Sequence, residues 1–459
     1  MELLNKHRRS LKFGTDGIRG RADEFPFTNE ALVHLGWAIA QWINKTYGSA
    51  STKILIGTDT RESCSRIKQA LITGLQACPV TIIDAGVIPT PAVYQLIKTE
   101  PGFDIGIVIS ASHNPYIDNG IKLFQAKTGK LSPEDEQMIS EFFAQSLDQN
   151  TEILRDQEII QEIIWQEVIW EEAAYKYIKN ITERFSPGFL AGYIVVLDCA
   201  HGATYKVAEV IFKQLGASVI AYSVEPDGIN INKNCGSLHT ENIQKAVLAH
   251  GADIGFAFDG DGDRVIAINK NGQIKDGDDI LALLLELPEY NKLDRIVGTV
   301  MTNQGFENAL KHKNKLLLRT SVGDKYIASC LDTEMLPLGG ENSGHIIIKD
   351  YLATGDGIFV ALKVLESMIV NKNWLLQTFD KHAQILINLP VKKKKDLAQE
   401  PCLDIISAHE QNLRDGRILV RYSGTENVLR VMTEAFDYEQ AKACASSLAQ
   451  KLQEILNAD

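Results

Sequence analysis

Residues 254–264 read Ile-Gly-Phe-Ala-Phe-Asp-Gly-Asp-Gly-Asp-Arg, a short apolar run followed by three aspartates that alternate with two glycines. A continuous apolar run of this length, bounded by turn residues, is typical of a strand that is buried on both faces of a sheet. The glycines permit the turn that brings the three carboxylates together. The stretch therefore predicts a buried strand that ends in a metal-binding loop.

The three carboxylates of that loop indicate which metal it would hold. Asp259, Asp261 and Asp263 repel one another, and they stay ionised together only if a cation lies between them. Ligation by oxygen alone favours Mg²⁺ over zinc or a softer metal. A calcium-binding EF-hand fits poorly, because no Glu occupies the twelfth position of the loop. The alternative is an exposed acidic turn, which is uncommon between two apolar strands.

A rhythm of apolar runs and amphipathic segments recurs along the chain and restarts about three times. Such alternation predicts α/β units with parallel or mixed sheets. A stretch at 156–170 is ambiguous between helix and strand, and we expect a domain boundary near it. Strands are predicted at 53–57, 79–83, 105–109, 194–197, 254–258, 296–300 and 316–318, and helices at 28–43, from Ser132-Pro133 and from about 205.

The last part of the chain follows a different pattern. Asp415-Gly416 predicts a turn between segments, and strands are expected at 418–421 and 428–432. Asp437 is a helix cap, with the helix running through Leu452. This pattern predicts a small separate α+β domain. A length of 459 residues agrees with about three or four domains in all.

Composition and charge exclude several classes of protein. The formal net charge of −12 argues against a broad basic surface for nucleic acid. The seven cysteines are scattered and form no Cys-x-x-Cys pair, which favours a reducing compartment over a disulfide framework. The N-terminal segment does not have the pattern of a signal peptide, and no apolar run is long enough to span a membrane. We therefore expect a cytoplasmic protein with neither nucleic acid nor membrane as a partner.

A candidate nucleophile lies in residues 109–115, which read Ile-Ser-Ala-Ser-His-Asn-Pro. Ser112 follows a predicted buried strand, and nucleophiles often occupy such loops. His113 could activate it or could simply satisfy backbone groups of the loop. The elbow motif of serine hydrolases is absent. A serine beside a divalent cation instead favours phosphoryl transfer.

Three further loops carry groups that suit a phosphorylated sugar. Residues 421–426 read Arg-Tyr-Ser-Gly-Thr-Glu with Arg430 beyond, a pattern that suits a phosphate cradle but is not a P-loop. Residues 339–345 read Gly-Gly-Glu-Asn-Ser-Gly-His and offer donors and acceptors for sugar hydroxyls. Residues 13–20 form a glycine-rich loop of the kind that contacts phosphate. Each of these loops taken alone is equally compatible with an ordinary turn.

Together, these five segments resemble the α-D-phosphohexomutase superfamily over nearly the whole sequence and follow one another along the chain in that family's order. Asn342 stands where phosphomannomutase/phosphoglucomutase relatives typically carry Met, and it is close to the Gln that is usual in enzymes of glucosamine phosphates. The chain therefore most resembles the bacterial glucosamine-phosphate branch. Two positions depart from the pattern: Asn427 replaces a usual Pro, and His201 replaces a frequent Asn. Further likeness comes from 198–200 (Asp-Cys-Ala) and 354–357 (Thr-Gly-Asp-Gly).

The resemblance implies an α/β fold of four domains around a central cleft. Three related α/β units with mixed sheets would be followed by a smaller C-terminal α+β domain. The expected domains are 1–165 with the phosphoserine loop, 166–268 with the Mg²⁺ loop, 269–376 with the sugar-recognition loop and 377–459 with the phosphate-binding loop.

The resemblance also implies roles for individual residues. Ser112, as phosphoserine, would be catalytic together with Arg19, Lys122 and His345, and Arg264 is a further candidate near the reacting phosphoryl group. One Mg²⁺ per subunit would be held by Ser112, Asp259, Asp261 and Asp263. The general base is open between Lys122 and His345. Substrate contacts would come from Glu341, Ser343, His345, Lys325, Arg421, Ser423, Gly424, Thr425 and Arg430.

The implied activity is the interconversion of glucosamine 6-phosphate and glucosamine 1-phosphate. It would pass through a phosphoserine and glucosamine 1,6-bisphosphate, which is both intermediate and activator, and would feed amino-sugar nucleotide and cell-wall precursor synthesis. The partner would be a small hexosamine phosphate, and a homodimer is one possible assembly. The alternatives are a phosphoglucomutase/phosphomannomutase with the same mechanism, a serine-dependent metallophosphatase, or a non-catalytic sugar-phosphate binding protein.

Overall fold

The computed structural model describes residues 11–48, 52–148, 168–391, 394–422 and 427–457. Within these ranges the strands form four sheets. The first three sheets mix parallel and antiparallel pairs, and the last sheet is antiparallel throughout. This architecture confirms the predicted fold class of three α/β units followed by a smaller α+β unit.

The first unit contains a mixed sheet with helices packed against it. Its elements, in chain order, are β1 (Ile18–Arg21), α1 (Asn29–Tyr47), β2 (Thr52–Thr58), α2 (Ser63–Leu75), β3 (Val80–Val87), α3 (Thr90–Thr99), β4 (Ile105–Ile109), β5 (Asp118–Gln125), β6 (Gly129–Lys130), α4 (Pro133–Asp148) and β7 (Val168–Ile169). The strand order is β1-β5-β4-β2-β3-β7, with β6 paired to β5. Strand β2 runs parallel to β3 and β4, whereas β5 runs antiparallel to β4.

The local signals of the first unit account for its main elements. Helix α1 begins after Thr28, whose hydroxyl accepts a hydrogen bond from the Ala31 N–H at 3.3 Å and so satisfies a donor of the first turn. Helix α4 begins at Pro133, as predicted. Strand β4 covers the predicted residues 105–109, all of them buried. Because β2 and β4 are parallel neighbours, their carboxyl ends deliver residues 59–61 and 110–112 to the same edge of the sheet.

The second unit holds a five-stranded sheet in the order β12-β11-β10-β8-β9. Its elements are α5 (Ala173–Thr182), β8 (Ile194–Asp198), α6 (Ala208–Gln214), β9 (Ser218–Tyr222), α7 (Glu241–Ala249), β10 (Ile254–Phe258), β11 (Val265–Asn269) and β12 (Ile274–Lys275). Strand β10 is the predicted apolar run, and β11 returns antiparallel beside it. The acidic loop is therefore the tight connection between two buried strands. Helix α6 begins a few residues later than expected, because Thr204 and Val207 first form a turn.

The third unit has a four-stranded sheet in the order β14-β13-β15-β16. Strands β14, β13 and β15 are parallel, and β16 is antiparallel to β15. The short connection between β15 and β16 is the predicted sugar loop. The elements are α8 (Gly277–Leu284), β13 (Arg295–Thr299), α9 (Gln304–His312), β14 (Leu316–Thr320), α10 (Asp324–Thr333), β15 (Leu338–Gly340), β16 (Ile346–Ile348) and α11 (Gly357–Val370).

The C-terminal unit is a three-stranded antiparallel sheet in the order β17-β19-β18 with two helices. The last helix begins after Asp437, whose carboxylate accepts from the Gln440 N–H at 2.7 Å. The predicted strands at 418–421 and 428–432 are confirmed and are slightly longer than expected. The elements are β17 (Ala383–Pro390), α12 (Cys402–Asn412), β18 (Arg417–Tyr422), β19 (Val428–Ala435) and α13 (Tyr438–Asn457).

The hydrophobic cores show which of the four units are packed together. One continuous core joins side chains of the first three units, such as Val93, Phe256 and Leu281. The C-terminal unit has a core of its own, built around Leu429, Val431 and Leu448. The first three units therefore share a core, whereas the C-terminal unit has its own and contacts the third unit through hydrogen bonds such as those of Arg417 to Val300 O at 2.8 Å and Thr302 O at 2.9 Å.

The expected domain boundaries at 165, 268 and 376 stay predictions. Most of the ambiguous stretch 156–170 lies outside the described residues, and the first sheet continues to β7 at 168–169. In the part of the chain that the structure describes, no helix is long and apolar enough to cross a membrane.

Candidate active site

The loop that carries Ser112 meets the acidic loop at the boundary between the first two units. The Ser112 hydroxyl is buried and donates to Asp259 Oδ2 at 2.6 Å. The Nδ1 atom of His113 lies 3.2 Å from the same hydroxyl oxygen. Burial, followed by the charges of Arg264 and Arg19, lowers the pKa of His113 to about 3, so the imidazole is neutral near pH 7. The structure thus brings the predicted nucleophile directly to the predicted metal loop.

The three aspartates of the acidic loop form a compact, buried set of oxygen atoms. One carboxylate oxygen from each of Asp259, Asp261 and Asp263 lies within 4.8 Å of the others. Burial, and then the charges of Asp263 and Asp261, raise the pKa of Asp259 well above its usual value. Within the described part of the chain, Asp261 Oδ1 and Asp263 Oδ1 make no hydrogen bond. Buried carboxylate oxygens without donors fit a divalent cation, which would satisfy them and relieve their repulsion.

Lys122 supplies positive charge beside this set. It lies on β5 and is buried, and its Nζ atom contacts Asp261 Oδ2 at 2.7 Å, Asp263 Oδ2 at 2.9 Å and Asp16 Oδ2 at 2.5 Å. Burial opposes a charged amine, but the three carboxylates outweigh it and raise the pKa of Lys122 above its ordinary value. In this arrangement Lys122 is an ammonium ion.

The other basic groups predicted near the phosphoryl group surround Asp16. Arg19 donates to Asp16 Oδ2 at 3.2 Å. Lys325 reaches the carbonyl of Gly14 at 3.5 Å and lines the same depression as Lys122. Arg19 on β1, Lys122 on β5 and Lys325 on α10 therefore all contact the segment at 14–16.

The sugar loop is held by its own glutamate. Glu341 Oε1 accepts from the Gly323 N–H at 2.7 Å, and Oε2 accepts from the Ser343 hydroxyl at 3.2 Å. Gly344 has φ +90°, and a Cβ atom there would lie 2.2 Å from the carbonyl oxygen of Val265. Only glycine fits this position. The close approach places the sugar loop directly against the strand that leaves the metal loop.

His345 faces the metal loop. Its Nε2 atom accepts from the Gly355 N–H at 3.2 Å, and its Nδ1 atom lies 3.6 Å from Asp263 Oδ1. Both ring nitrogens are therefore engaged with or near protein groups. These contacts orient the ring toward Asp263.

The predicted phosphate cradle is only partly described. Arg421 and Arg430 are directly opposite each other on β18 and β19. Burial, and then the charge of Arg430, lower the pKa of Arg421 below its ordinary value. Two adjacent guanidinium groups of this kind are suited to an anion. Ser423, Gly424 and Thr425 lie outside the described residues, and both arginines belong to the C-terminal sheet.

Several residues of the site were not singled out by the sequence. Arg61 and Asp59 form a fully buried ion pair at 2.9 Å beneath the nucleophile loop. Thr90 donates to Asp261 Oδ2 at 2.6 Å, and Lys130 bridges Asp16 and Asp324. For Asp59 and Arg61, the sequence offered one signal: they lie in an Asp-Thr-Arg segment directly after an apolar strand, and charged residues in such a position often form ion pairs. Thr90 and Lys130 carried no comparable signal.

The chain matches four family models in consecutive order. These are phosphoglucomutase/phosphomannomutase alpha/beta/alpha domain I at residues 10–150, domain II at 175–272, domain III at 276–385 and the C-terminal domain at 386–451. Together they span most of the sequence.

Curated relatives are similar over nearly their full length. A phosphoglucosamine mutase of Pseudomonas entomophila (strain L48) is 42% identical over 453 residues, which covers 96% of this chain and 98% of that protein. The phosphoglucosamine mutase of Acinetobacter baumannii (strain SDF) is 41% identical over 443 residues and covers 95% and 97% of the two chains.

Solved structures share the fold at lower identity. A phosphoglucomutase/phosphomannomutase family protein from Burkholderia thailandensis superposes with a TM-score of 0.75 at 21% identity and covers 97% of this chain and 98% of that one. Aspergillus fumigatus N-acetylphosphoglucosamine mutase, in complex with GlcNAc-6P and magnesium, superposes with a TM-score of 0.67 at 18% identity and covers 98% and 97%. At these identities the likeness is one of fold.

Proposed function

This chain belongs to the phosphoglucomutase/phosphomannomutase family and is an enzyme of the isomerase class, an intramolecular phosphotransferase; from that premise we propose that it interconverts glucosamine 6-phosphate and glucosamine 1-phosphate. The choice of sugar is supported by the curated relatives at 41–42% identity, which are phosphoglucosamine mutases. The chemistry is supported above all by one contact, the buried Ser112 hydroxyl at 2.6 Å from Asp259. In this proposal the enzyme supplies amino-sugar nucleotide and cell-wall precursor synthesis.

In the first half-reaction, phosphorylated Ser112 transfers its phosphoryl group to the 1-hydroxyl of glucosamine 6-phosphate. The bond from phosphorus to Ser112 Oγ breaks, a bond to the sugar oxygen forms, and the proton of the sugar 1-hydroxyl is replaced by a proton on Ser112 Oγ, so that the products are glucosamine 1,6-bisphosphate and free Ser112. The bisphosphate then reverses its orientation, its 6-phosphoryl group returns to Ser112, and glucosamine 1-phosphate leaves. Because one serine serves both ends of the sugar, a small amount of free bisphosphate would also activate unphosphorylated enzyme.

The charged residues around Ser112 suit the transferring group. Ser112, Asp259, Asp261 and Asp263 would hold one Mg²⁺ per subunit, and that ion, when bound, supplies positive charge that stabilises the transferring phosphoryl group. Lys122, Arg19 and Lys325 add positive charge on the same side. The geometry favours Lys122 as a charge partner, since three carboxylates keep it protonated.

The opposite end of the substrate needs a second site. Arg421 and Arg430 would bind the phosphate that is not reacting, together with Ser423, Gly424 and Thr425. Glu341, Ser343 and His345 would contact the sugar between the two phosphates. The separate core of the C-terminal unit suits a domain that closes over the substrate, and closure would protect the phosphoserine from water.

Two measurements test this proposal. Intact mass spectrometry after incubation with glucosamine 1,6-bisphosphate should show one added phosphoryl group in the native chain and in Ser146→Ala but none in Ser112→Ala. Ser146 is the control, since it is a buried serine of helix α4 whose hydroxyl donates to Phe143 O at 2.7 Å. Phosphorylation of Ser112→Ala, or release of free phosphate as the main product, would contradict the mutase assignment.

Specificity constants for glucosamine, glucose and mannose 6-phosphates then decide the sugar. We expect the highest value for glucosamine 6-phosphate, and a higher value for glucose or mannose phosphate would establish the alternative phosphoglucomutase/phosphomannomutase activity. Cytoplasmic location and a homodimer stay predictions.

A further inference from the structure

The nucleophile has an unfavourable backbone conformation. Ser112 has φ +54°, in the left-handed region that residues with a Cβ atom rarely adopt. Surrounding contacts must hold such a residue in place. On its amide side, the Ser112 N–H donates to Ser110 Oγ at 2.9 Å, and the Ser110 hydroxyl donates to Asp59 Oδ2 at 2.6 Å. These contacts all come from the first unit.

The carbonyl side of the same residue is held by two donors from different units. Ser112 O accepts from Arg61 Nη2 at 3.0 Å and from Asn232 Nδ2 at 2.9 Å. The same two side chains also donate to Asn114 O, at 2.8 Å and 3.1 Å. Arg61 belongs to the first unit, whereas Asn232 belongs to the second unit, which carries the metal loop. The nucleophile loop is therefore clamped across the boundary between units.

Asn232 is itself fixed against the metal loop. It is buried, has φ +58°, and its backbone N–H donates to Ala200 O at 2.9 Å. A Cβ atom on Gly260 would lie 2.6 Å from Ser112 O and 2.8 Å from Asn232 Nδ2. The metal loop thus passes directly over the bond between the Asn232 amide and the Ser112 carbonyl.

We propose that Asn232 is a positioning residue for phosphoryl transfer: its amide holds the carbonyl of Ser112 so that the Ser112 hydroxyl keeps its place relative to Asp259. This inference rests on the proposed function, in which Ser112 carries the phosphoryl group. Asn232 acts through the backbone and does not touch the reacting atoms. Through its hydrogen bond, Asn232 fixes Ser112 of the first unit relative to the metal loop of the second unit.

The test uses three variants of the full chain. Asn232→Gly keeps a residue that tolerates positive φ but removes the amide donor, and Asn232→Asp keeps the size but places a carboxylate against two carbonyl oxygens. Asn234→Gly is the matched control, since Asn234 lies in the same loop with φ +56° but is exposed. The rate of Ser112 phosphorylation is followed by quenched-flow mass spectrometry over a range of glucosamine 1,6-bisphosphate concentrations, and thermal unfolding is recorded for each variant.

We expect the maximal rate to fall about tenfold in Asn232→Gly and further in Asn232→Asp, because small displacements of a reacting group are costly in rate. The half-saturating concentration of the bisphosphate should stay within about twofold of the native value in all variants, because Asn232 does not contribute to the distal phosphate site. Asn234→Gly should behave as the native chain. A purely structural role would instead lower the unfolding temperature and the fraction of active enzyme, leaving the rate per active molecule unchanged.

Three results would overturn the inference. The first is a maximal rate in both Asn232 variants within about twofold of Asn234→Gly. The second is a loss of rate fully explained by unfolded protein. The third is the absence of phosphorylation at Ser112 in the native chain. This result would overturn the proposed function as well, whereas the first two results would leave the proposed function intact.

Discussion

Thr90 and Asp261 are joined by two hydrogen bonds across the boundary between the first and second units. The Thr90 hydroxyl donates to Asp261 Oδ2 at 2.6 Å, and its backbone N–H donates to the Asp261 carbonyl at 2.9 Å. Thr90 opens helix α3, so a residue of the first unit orients one carboxylate of the acidic loop. The proposed metal site is therefore shaped by both units, although its three aspartates come from one.

The Thr90 hydroxyl should matter for metal affinity. Groups that orient a metal ligand typically contribute about 10–100-fold to affinity. We expect Thr90→Val to raise the Mg²⁺ concentration for half-maximal binding by about tenfold, measured by calorimetric titration of the substrate-free protein. Thr90→Ser keeps the hydroxyl and should remain near the native value. Equal affinities for the native chain and Thr90→Val would show that the hydroxyl does not orient Asp261.

A divalent cation should also stabilise the fold. The three buried carboxylates lie within 4.8 Å of one another, and burial together with the charges of Asp263 and Asp261 raises the pKa of Asp259. A cation that binds only the folded state shifts unfolding by mass action. At 100 times its dissociation constant the ion would add about 2.7 kcal/mol. We expect the unfolding temperature of the chelator-treated protein to rise on addition of Mg²⁺, and turnover to return with it.

Asp261→Asn is the control for that measurement. It removes one charged ligand while keeping the shape of the side chain. The metal-dependent rise in unfolding temperature should become small, because one of the three charged ligands has gone. An unchanged response to Mg²⁺ would place the ion elsewhere.

Arg421 should affect substrate binding more than chemistry. Its position opposite Arg430 on neighbouring strands suits the phosphate that does not react. Losing a charge-assisted bond costs about 1.5–3 kcal/mol, so KM should rise about 10–100-fold in Arg421→Ala with a smaller change in kcat. Arg421→Lys should recover only part of the affinity, because an ammonium lacks the planar fork of guanidinium. If Arg421→Ala instead changed only the Mg²⁺ requirement, the cradle assignment would be wrong.

Much of the local structure could be predicted from the sequence. The strands at 105–109 and 254–258 are uninterrupted apolar runs, and the structure places both with the predicted ends. The acidic triplet was recognisable because alternating Asp and Gly between apolar strands has few other uses. These features depend on neighbours in the chain, which a sequence displays directly.

The long-range contacts could not be predicted in the same way. Asn232 reaches Ser112 from 120 positions away, and Lys122 reaches Asp261 from 139 positions away. Such pairs depend on how the units dock, and no local pattern encodes docking. The left-handed backbone conformation of Ser112 and Asn232 could not be predicted from the sequence either, because neither residue is a glycine.

Asp356 joins the second and third units at a buried carboxylate. The Tyr177 hydroxyl donates to it at 3.1 Å, the Tyr351 hydroxyl at 2.8 Å and the Phe359 N–H at 3.0 Å. Gln95 of the first unit in turn contacts the Tyr351 hydroxyl. Burial outweighs these donors and raises the pKa of Asp356 to about 6.

This raised pKa predicts how stability depends on pH. A carboxyl whose pKa is higher in the folded than in the unfolded state stabilises the fold while it is protonated, and that contribution is lost as pH rises through the folded value. The window therefore runs from about pH 4 to pH 6, with a total effect of about 3 kcal/mol. We expect the unfolding temperature of the native chain, relative to Asp356→Asn, to fall across this window and to level off above it.

Tyr177→Phe tests the physical cause of that window. The Tyr177 hydroxyl stabilises the ionised carboxylate, so its removal should raise the pKa of Asp356 further and move the midpoint of the decline to higher pH. Phe keeps the aromatic ring in the core, so the substitution removes only the hydroxyl. A general loss of packing would instead lower the unfolding temperature equally at every pH. A difference between the native chain and Asp356→Asn that does not vary with pH would show that Asp356 does not titrate in this range.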